Sequence, residues 1–312
     1  MDKSEHFCFK ILTITQQKGE DYLLDYPQKP IALTKFEVLR RYMTLETEHH
    51  YTYERLKRGY EGEKMFATLL ERELSQPFHA LYDLQFKENG SEVQIDCLLF
   101  IGQKIFLFEV KHYYGNYLIN NNRWFLASTN KEIKSPLHQI QRSTLLLKDF
   151  FSHYHITEPI ISKLVFTHPE FYLYQAPYNS SMIFPNQLNQ LIKSLQIEQV
   201  HPLKQDFLNI INTLKNSHLT TLVHEQVPAI QYNQLKKGVF CKTCSKKMKN
   251  LNQKKFYCAH CKQSELKKNI VLKRIADYQI LFPHEILTAD RLFEWIGKTT
   301  TKRTVQRILT NI

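Results

Sequence analysis

The sequence predicts a mixed α/β domain followed by a small four-cysteine module and a helical tail. Up to about residue 216, runs of strand length alternate with runs of helical periodicity. Four of the six cysteines are confined to residues 241–261, and the chain beyond them shows mainly helical patterns. The predicted sections are an N-terminal extension at 1–50, the α/β domain at 51–216, a linker at 217–237, the cysteine module at 238–264 and a helical domain at 265–312.

Length and charge limit the classes of protein to which the chain can belong. Its 312 residues suffice for two or three domains with at least one sizeable core. It lacks an apolar stretch of membrane-spanning length and a signal-peptide pattern at residues 1–10, so we expect a cytoplasmic protein without a membrane partner. The pattern leaves the oligomeric state open.

The net charge of +12 belongs to the C-terminal quarter of the chain. Residues 231–312 contain 18 Lys and Arg against 5 Asp and Glu, whereas the rest of the chain is close to neutral. A basic segment attached to a neutral domain is typical of nucleic-acid binding, although a membrane-surface or solubility role would look similar.

The α/β domain begins with an amphipathic helical pattern at residues 53–74, which ends before Pro77. This helix contains Gly59 and Gly62. Each glycine costs a helix roughly 1 kcal/mol relative to alanine. We therefore expect the two glycines to permit close backbone approach at this helix.

After a strand near residues 80–86, two apolar runs within residues 94–111 predict a β-hairpin with a two-residue turn that begins at Gly102. Paired residue numbers then sum to 205, which places Asp96 opposite Glu109. Opposed side chains lie about 4.5–5.5 Å apart at Cβ, where two carboxylates repel unless a cation lies between them or one is protonated. Lys111 points to the same side of the strand as Glu109.

The opposite face of this hairpin is apolar, so we expect one face in the core and the other to carry the charges. The plain interpretation of the charged face is a solvated surface with an ordinary ion pair. However, the same face also carries Leu98, Phe100, Ile105 and Leu107, which is more apolar surface than a solvated strand face usually has. Charges embedded in such an apolar strand pair indicate a site.

The residue types on the charged face suit phosphodiester hydrolysis. Carboxylates are hard oxygen ligands that bind Mg²⁺ or Mn²⁺, and such an ion can bind a phosphate oxygen and activate water. A lysine beside them can stabilise the negative charge that develops at phosphorus or orient the attacking group. The hairpin is therefore a candidate metal-dependent phosphodiesterase site.

Further strands and helices follow the hairpin and complete the α/β domain. We predict strands at 124–127, 160–167 and 181–184, and helices at 136–151, 185–195 and 201–214. Tyr113 and Tyr114, directly after the hairpin, either stack on a base or are ordinary exposed tyrosines at a strand end.

The four clustered cysteines form two C-x2-C pairs separated by 13 residues. Paired knuckles at this spacing supply four thiolates for tetrahedral Zn²⁺, and a chain without a secretory signal is a poor candidate for a disulfide framework. We therefore predict a structural zinc bound by Cys241, Cys244, Cys258 and Cys261.

The last part of the chain predicts a basic helix at 265–280 and then a helix-turn-helix pattern. Thr288 caps a helix that runs to Trp295, and a further helix follows at 301–309. An alternative is a terminal helical hairpin with a solvated basic face. In the helix-turn-helix interpretation, the outward side chains that contact phosphates and base edges are Lys302, Arg303, Gln306 and Arg307.

Several of these residues together resemble a known family. A helical Gly59-x-x-Gly62-Glu63, an Ile95-Asp96 strand and a Glu109-Val110-Lys111 strand, with Gly115 and Trp124 downstream, resemble the nuclease-related domain, NERD, which is similar to the PD-(D/E)xK nucleases. The resemblance covers about residues 53–215 and leaves out the cysteine module and the tail.

The resemblance implies a PD-(D/E)xK-like mixed sheet flanked by helices. It implies that Asp96 and Glu109 bind Mg²⁺ or Mn²⁺, that Lys111 positions water or stabilises charge, that Glu63 is an auxiliary acid and that Gln139 supports the site. The proline that precedes the aspartate in the broader motif is replaced here by Ile95.

Our leading hypothesis from the sequence is a metal-dependent deoxyribonuclease whose basic C-terminal region binds DNA. The alternative is a catalytically silent regulator or scaffold that binds DNA through the zinc module and the helix-turn-helix. An enzyme acting on RNA stays open, although a helix-turn-helix favours duplex DNA.

Overall fold

The computed structural model describes residues 24–75, 77–178, 181–219 and 227–310. Their contacts divide the chain into two compact units. What we call the α/β unit contains the described residues of 18–29 and 55–224. What we call the cysteine unit combines residues 30–54 with the described residues from 225 onward. The domain boundaries proposed from the sequence stay a prediction.

The described part of the chain contains helices and strands in mixed order. The helices are α1 (Ile31–Tyr42), α2 (Thr47–Glu73), α3 (Pro136–His153), α4 (Leu188–Glu198), α5 (Phe207–Ser217), α6 (Lys267–Leu281), α7 (Ala289–Trp295) and α8 (Lys302–Thr310). The strands are β1 (Phe78–Glu88), β2 (Ser91–Ile101), β3 (Lys104–Lys111), β4 (Gly115–Asn120), β5 (Arg123–Leu126), β6 (Lys131–Ile133), β7 (Ile160–Phe166), β8 (Phe171–Tyr174), β9 (Met182–Ile183), β10 (Lys249–Asn250), β11 (Lys255–Cys258) and β12 (Gln263–Leu266).

The α/β unit is built on a five-stranded mixed sheet with the order β1-β2-β3-β7-β9. The first three strands are antiparallel neighbours, and β7 and β9 continue the sheet in parallel to β3. The prediction of a mixed α/β fold with helices flanking the sheet is confirmed.

Turn chemistry fixes the register of the antiparallel strands. The β2–β3 ladder pairs Leu98 with Leu107 and Cys97 with Phe108, so the predicted register is confirmed. Its turn begins at Gly102, whose φ of 54° is readily available to glycine. A Cβ at Gly102 would also lie only 2.3 Å from the carbonyl oxygen of Glu198, so a side chain is excluded on two grounds.

Both faces of the sheet are covered by helices, and this corrects one prediction. Helices α2 and α4 pack on one face, with Phe66, Leu70 and Leu195 in the core there. Helices α3 and α5 pack on the other face, where Leu147 and Phe207 join the core. The face that we expected to carry the charges, opposite the core, is therefore itself largely buried. The reason is that its leucine and phenylalanine positions need a second hydrophobic layer.

A second, four-stranded sheet of order β6-β5-β4-β8 belongs to the α/β unit, and the sequence predicted only one of its strands. Trp124 on β5 is 1% exposed and packs in the same core as α3. Within the described residues, no helix is long and apolar enough to cross a membrane.

The cysteine unit has its own core, which joins residues far apart in the sequence. Leu39 and Tyr42 of α1 pack with Tyr278 of α6 and with Trp295 at the end of α7. The Tyr42 and Trp295 rings are stacked with their centroids 4.2 Å apart. The hydroxyl of Tyr42 donates to Asp277 at 2.7 Å, which satisfies two buried polar groups at once.

Candidate functional site

The candidate site lies where strands β2 and β3 stop pairing. The ladder pairs end at Cys97 and Phe108, one position before Asp96 and Glu109. Beyond that point the carboxylate of Asp96 accepts the backbone N–H of Val110 at 2.8 Å. The Asp96 side chain therefore replaces a strand carbonyl as acceptor, which holds the carboxylate beside Glu109.

Glu109 and Lys111 form an ion pair that is mostly shielded from solvent. The side chain of Glu109 is 1% exposed, whereas that of Lys111 is 19% exposed. Asp96 is also buried. The three groups predicted to share one face therefore lie together, with the lysine as the most accessible of them.

Burial and mutual repulsion change the protonation of this group. Burial, followed by repulsion from Asp96, raises the pKa of Glu109 to about 8, although the Lys111 ammonium acts in the opposite direction. Burial alone would lower the pKa of Lys111, but the attraction of Asp96 and Glu109 outweighs it and the pKa is raised. Lys111 thus stays charged at neutral pH, whereas Glu109 takes up a proton more readily than a free glutamate does, and a divalent cation would compete with that proton.

Helix α2 adds Glu63 to the group. Burial and repulsion from Asp96 and Asp83 raise the pKa of Glu63 well above its usual value. Gly62 makes this approach possible, because a Cβ there would lie 2.5 Å from the Cβ of His112. The prediction of close backbone approach is thus confirmed at Gly62. At Gly59 the nearest atom to an added Cβ is a Glu63 oxygen at 3.9 Å, so that glycine leaves room for a side chain.

A fourth acid, Asp83 on β1, belongs to the cluster and was missed in the sequence. Its φ of 51° is unusual for a strand residue. The β1–β2 ladder pairs Tyr82 with Cys97 and Leu84 with Ile95, but it contains no pair at Asp83. The Asp83 carboxylate accepts the backbone N–H of Gln28 at 2.9 Å. Burial and repulsion from Asp96 raise the pKa of Asp83 to about 7, although the Gln28 bond lowers it.

The sequence contained a signal that identifies Asp83. Asn89-Gly90 is the strongest short hairpin signal, and both residues have positive φ, 48° and 72°. A two-residue turn there pairs residues whose numbers sum to 179, as Glu88 and Ser91 do. The same register places Asp83 opposite Asp96.

Gln139 is not brought into contact with the acids by any hydrogen bond in the described part of the chain. It lies in the first turn of α3, where its backbone N–H donates to Ser135 at 3.3 Å, and its side chain is exposed. Tyr113 is partly buried and stacks on Tyr117 with centroids 5.0 Å apart, which removes it as a free stacking platform. Tyr114 is exposed.

The comparison with known families identifies the segment that contains these acids. Residues 58–167 match the family model of the nuclease-related domain, NERD. The resemblance seen in the sequence is confirmed over this segment, which includes Glu63, Asp83, Asp96, Glu109, Lys111 and Gln139. Neither a curated protein nor a solved structure matches the chain significantly.

The raised pKa of Glu109 predicts how the free energy of unfolding of the α/β unit depends on pH. A free glutamate has a pKa of 4.5, against about 8 in the folded protein, so between these values the folded state holds a proton that the unfolded state lacks. Wild-type stability therefore falls as the pH rises through this window. We expect Glu109→Gln to exceed the wild type by about 1–3 kcal/mol at about pH 8 and to lose this advantage near pH 5.

Chemical denaturation without added divalent cation at several pH values measures this difference. The matched control is Glu170→Gln, because the Glu170 side chain is exposed, and its curves should follow those of the wild type. A Glu109→Gln variant less stable than the wild type at pH 8 would show that the Lys111 ion pair outweighs the repulsion by Asp96.

In the cysteine unit, the four cysteines of the two C-x2-C pairs form one cluster. Their sulfur atoms all lie within 4.8 Å of one another, and those of Cys244 and Cys258 are 3.5 Å apart. Four sulfurs bound to one tetrahedral zinc are about 3.8 Å apart, so the cluster fits this ion. Burial acts against ionisation of Cys241, but backbone N–H groups of Cys244 and Thr243 lower its pKa to about 7. The cluster can hold a metal ion and supports a structural zinc.

The terminal helices have the predicted local structure. The Thr288 side chain accepts the N–H of Arg291 at 3.2 Å and caps α7. Gly297, with φ 68°, ends the helix in a Schellman motif in which Lys298 donates to the Phe293 carbonyl at 3.0 Å. Val305 and Ile308 of α8 are buried. The exposed residues of α8 include Lys302, Arg303, Gln306 and Arg307.

Proposed function

We propose that this protein is a metal-dependent nuclease that hydrolyses phosphodiester bonds in DNA. The observation that supports the proposal is the convergence of four carboxyl groups and one lysine at the point where β2 and β3 separate. Burial, together with repulsion among these acids, raises the pKa of three of them. Acids that repel one another in a buried environment favour a divalent cation, which would neutralise them.

In this proposal Asp96 and Glu109 hold Mg²⁺ or Mn²⁺. The ion supplies a positive charge that binds a phosphate oxygen and activates water. Lys111, charged and partly exposed, stabilises the negative charge that develops on the phosphate. Glu63 adds an auxiliary carboxylate, and Gln139, exposed on α3, has the supporting role that the family resemblance implies.

The basic cysteine unit contributes most of the DNA affinity in this proposal. Residues 231–312 have 18 basic and 5 acidic side chains, whereas the remainder of the chain is nearly neutral. Affinity for a polyanion should therefore come from this segment and fall steeply with salt. On α8, Lys302, Arg303, Gln306 and Arg307 are exposed and can contact phosphates or base edges.

A cleavage assay with circular and linear DNA tests the proposed activity. We expect the wild type to cut with Mg²⁺ or Mn²⁺ and Glu109→Gln to lose at least about 100-fold in rate, since it loses a cation ligand. Circular DNA distinguishes internal cuts from digestion at ends. Glu109→Gln is expected to fold, so its loss of rate would reflect the site and not unfolding. A wild-type protein that cuts with neither cation would contradict the proposal.

One observation favours a second candidate function, a DNA-binding scaffold without catalysis. Glu109 is almost fully buried and already paired with Lys111, as in a purely structural ion pair. A scaffold would bind DNA but would not cleave it with any divalent cation. The same assay, combined with a binding measurement, separates the two candidates.

A further inference from the structure

The cysteine unit contains a cleft of about 480 Å³ to which the proposed function assigns no role. Its described lining includes no Asp or Glu, whereas five cationic side chains line it: Arg40, Arg41, Lys236, Lys246 and Lys247. A concave surface lined by one sign of charge focuses the electrostatic field and concentrates counter-ions.

Separate elements of the unit hold these cations in place. Arg40 and Arg41 belong to the last turn of α1. The backbone N–H of Lys236 donates to the carbonyl of Tyr42 at 2.8 Å, which fixes the lysine beside the end of that helix. A carbonyl at the end of a helix otherwise lacks a partner, so this bond also completes α1.

The first cysteine knuckle presents the other two lysines. The Lys246 carbonyl accepts the N–H of Cys241 at 2.9 Å, and Lys247 bridges to Phe240 in antiparallel fashion. Ser245, with φ 55°, forms the turn before them. The backbone that carries Lys246 and Lys247 is therefore fixed by the knuckle.

Most of this positive charge is not neutralised within the protein. Arg41 forms an ion pair with Asp277 at 2.8 Å. Lys236, Lys246 and Lys247 are exposed, and no ion pair joins them to a carboxylate in the described part of the chain. Bringing unpaired like charges together is unfavourable, and an anion in the cleft would remove that repulsion.

We propose that this cleft binds phosphate groups of a nucleic-acid backbone and is a second contact region, distinct from α8. The net charge of the surrounding segment, with 18 basic against 5 acidic side chains in residues 231–312, favours a polyanion over a single nucleotide. Phe240 at the cleft is 7% exposed and offers little ring surface for stacking, so the contacts are to phosphates and are independent of sequence. The inference rests on the proposed nucleic-acid partner but not on cleavage.

The test compares two triple variants of the full-length protein that lose the same charge. The cleft variant is Lys236→Ala with Lys246→Ala and Lys247→Ala. The control is Lys242→Ala with Lys254→Ala and Lys255→Ala, also exposed but outside the cleft lining. Binding to a labelled duplex is measured without added divalent cation over a range of salt concentrations, and the zinc content of both variants is checked.

We expect the cleft variant to lose about tenfold or more in affinity and its slope against log salt to fall by about 2 to 3, since each phosphate contact contributes about 0.9. The control should lose less than about threefold. Equal losses in both variants would overturn the assignment of the cleft and leave only diffuse electrostatic attraction.

If AMP or inorganic phosphate binds the wild type as tightly as the duplex does, and the cleft variant loses that binding, the cleft is a small-anion site and the nucleic-acid assignment is wrong. Duplex binding through the cleft without cleavage would refute the nuclease alone.

Discussion

Replacing Lys111 by alanine is expected to reduce metal-dependent cleavage by about 10²- to 10³-fold, which corresponds to about 3–4 kcal/mol of transition-state stabilisation. Lys111 is the most exposed of the three charged groups on the β2–β3 hairpin, and attraction by Asp96 and Glu109 raises its pKa and keeps it charged. A charge already fixed beside the reacting phosphate needs no reorganisation when negative charge develops there.

The loss should appear in cleavage and not in DNA affinity. The basic residues that we propose to bind DNA belong to the cysteine unit, so Lys111→Ala should bind duplex within about threefold of the wild type. Single-turnover cleavage with saturating enzyme measures the chemical step apart from binding.

Two further variants separate catalysis from folding. Lys111→Met keeps the aliphatic stem without the charge and should be as inactive as the alanine variant. Lys87→Ala removes an exposed lysine from β1 of the same sheet and should cut like the wild type. Cleavage by Lys111→Met within about threefold of the wild type would show that the Lys111 charge does not act in the chemical step and that its ion pair with Glu109 is structural.

Local sequence signals were enough to predict most of the hairpin that bears the site. Gly102 fixed the turn, and the period of two along each strand then placed Asp96 and Glu109 one position beyond the last observed pair. The capped helix after Thr288 is also a local feature, since the cap and the Schellman motif involve residues within one turn. These features depend on few residues and little on the rest of the fold.

Features that depend on distant contacts were not predicted. Helix α1 contributes Leu39 and Tyr42 to a core whose buried members outside this helix lie some two hundred positions later in the chain. The hydrogen bond from Tyr42 to Asp277, for example, spans 235 positions. Neither partner shows this pairing in its own periodicity. Asp83 differs, because the Asn89-Gly90 turn contained the register that places it opposite Asp96. The second hydrophobic layer on the charged face was indicated only by excess apolar residues there.

Removing the metal from the four-cysteine cluster is expected to unfold the cysteine unit while the α/β unit stays folded. Cys258 is fully buried in a core that also contains Phe256, Tyr42 and Trp295. Structural zinc sites of this kind contribute apparent binding energies of about 10–16 kcal/mol, comparable with or larger than the whole stability of a small domain. We therefore expect one zinc per chain, and we expect Cys258→Ala to leave the cysteine unit unfolded.

The chain's two tryptophans make this prediction measurable, because each belongs to a different core. Trp124 is buried in the α/β unit and Trp295 in the cysteine unit. In a Trp124→Phe background Trp295 is the one remaining tryptophan, so Cys258→Ala or zinc chelation should shift the tryptophan emission to that of a solvated ring. Far-ultraviolet circular dichroism should meanwhile retain the signal of the α/β unit.

Cys97→Ala is the matched control, since Cys97 is buried in the α/β unit and lies outside the cluster. It creates a small cavity there, which typically costs about 1 kcal/mol, and it should leave both zinc content and Trp295 emission unchanged. A native Trp295 spectrum after complete zinc removal would show that the apolar contacts around Tyr42 hold this unit together without the ion. Less than half an equivalent of zinc in the purified wild type would contradict the site itself.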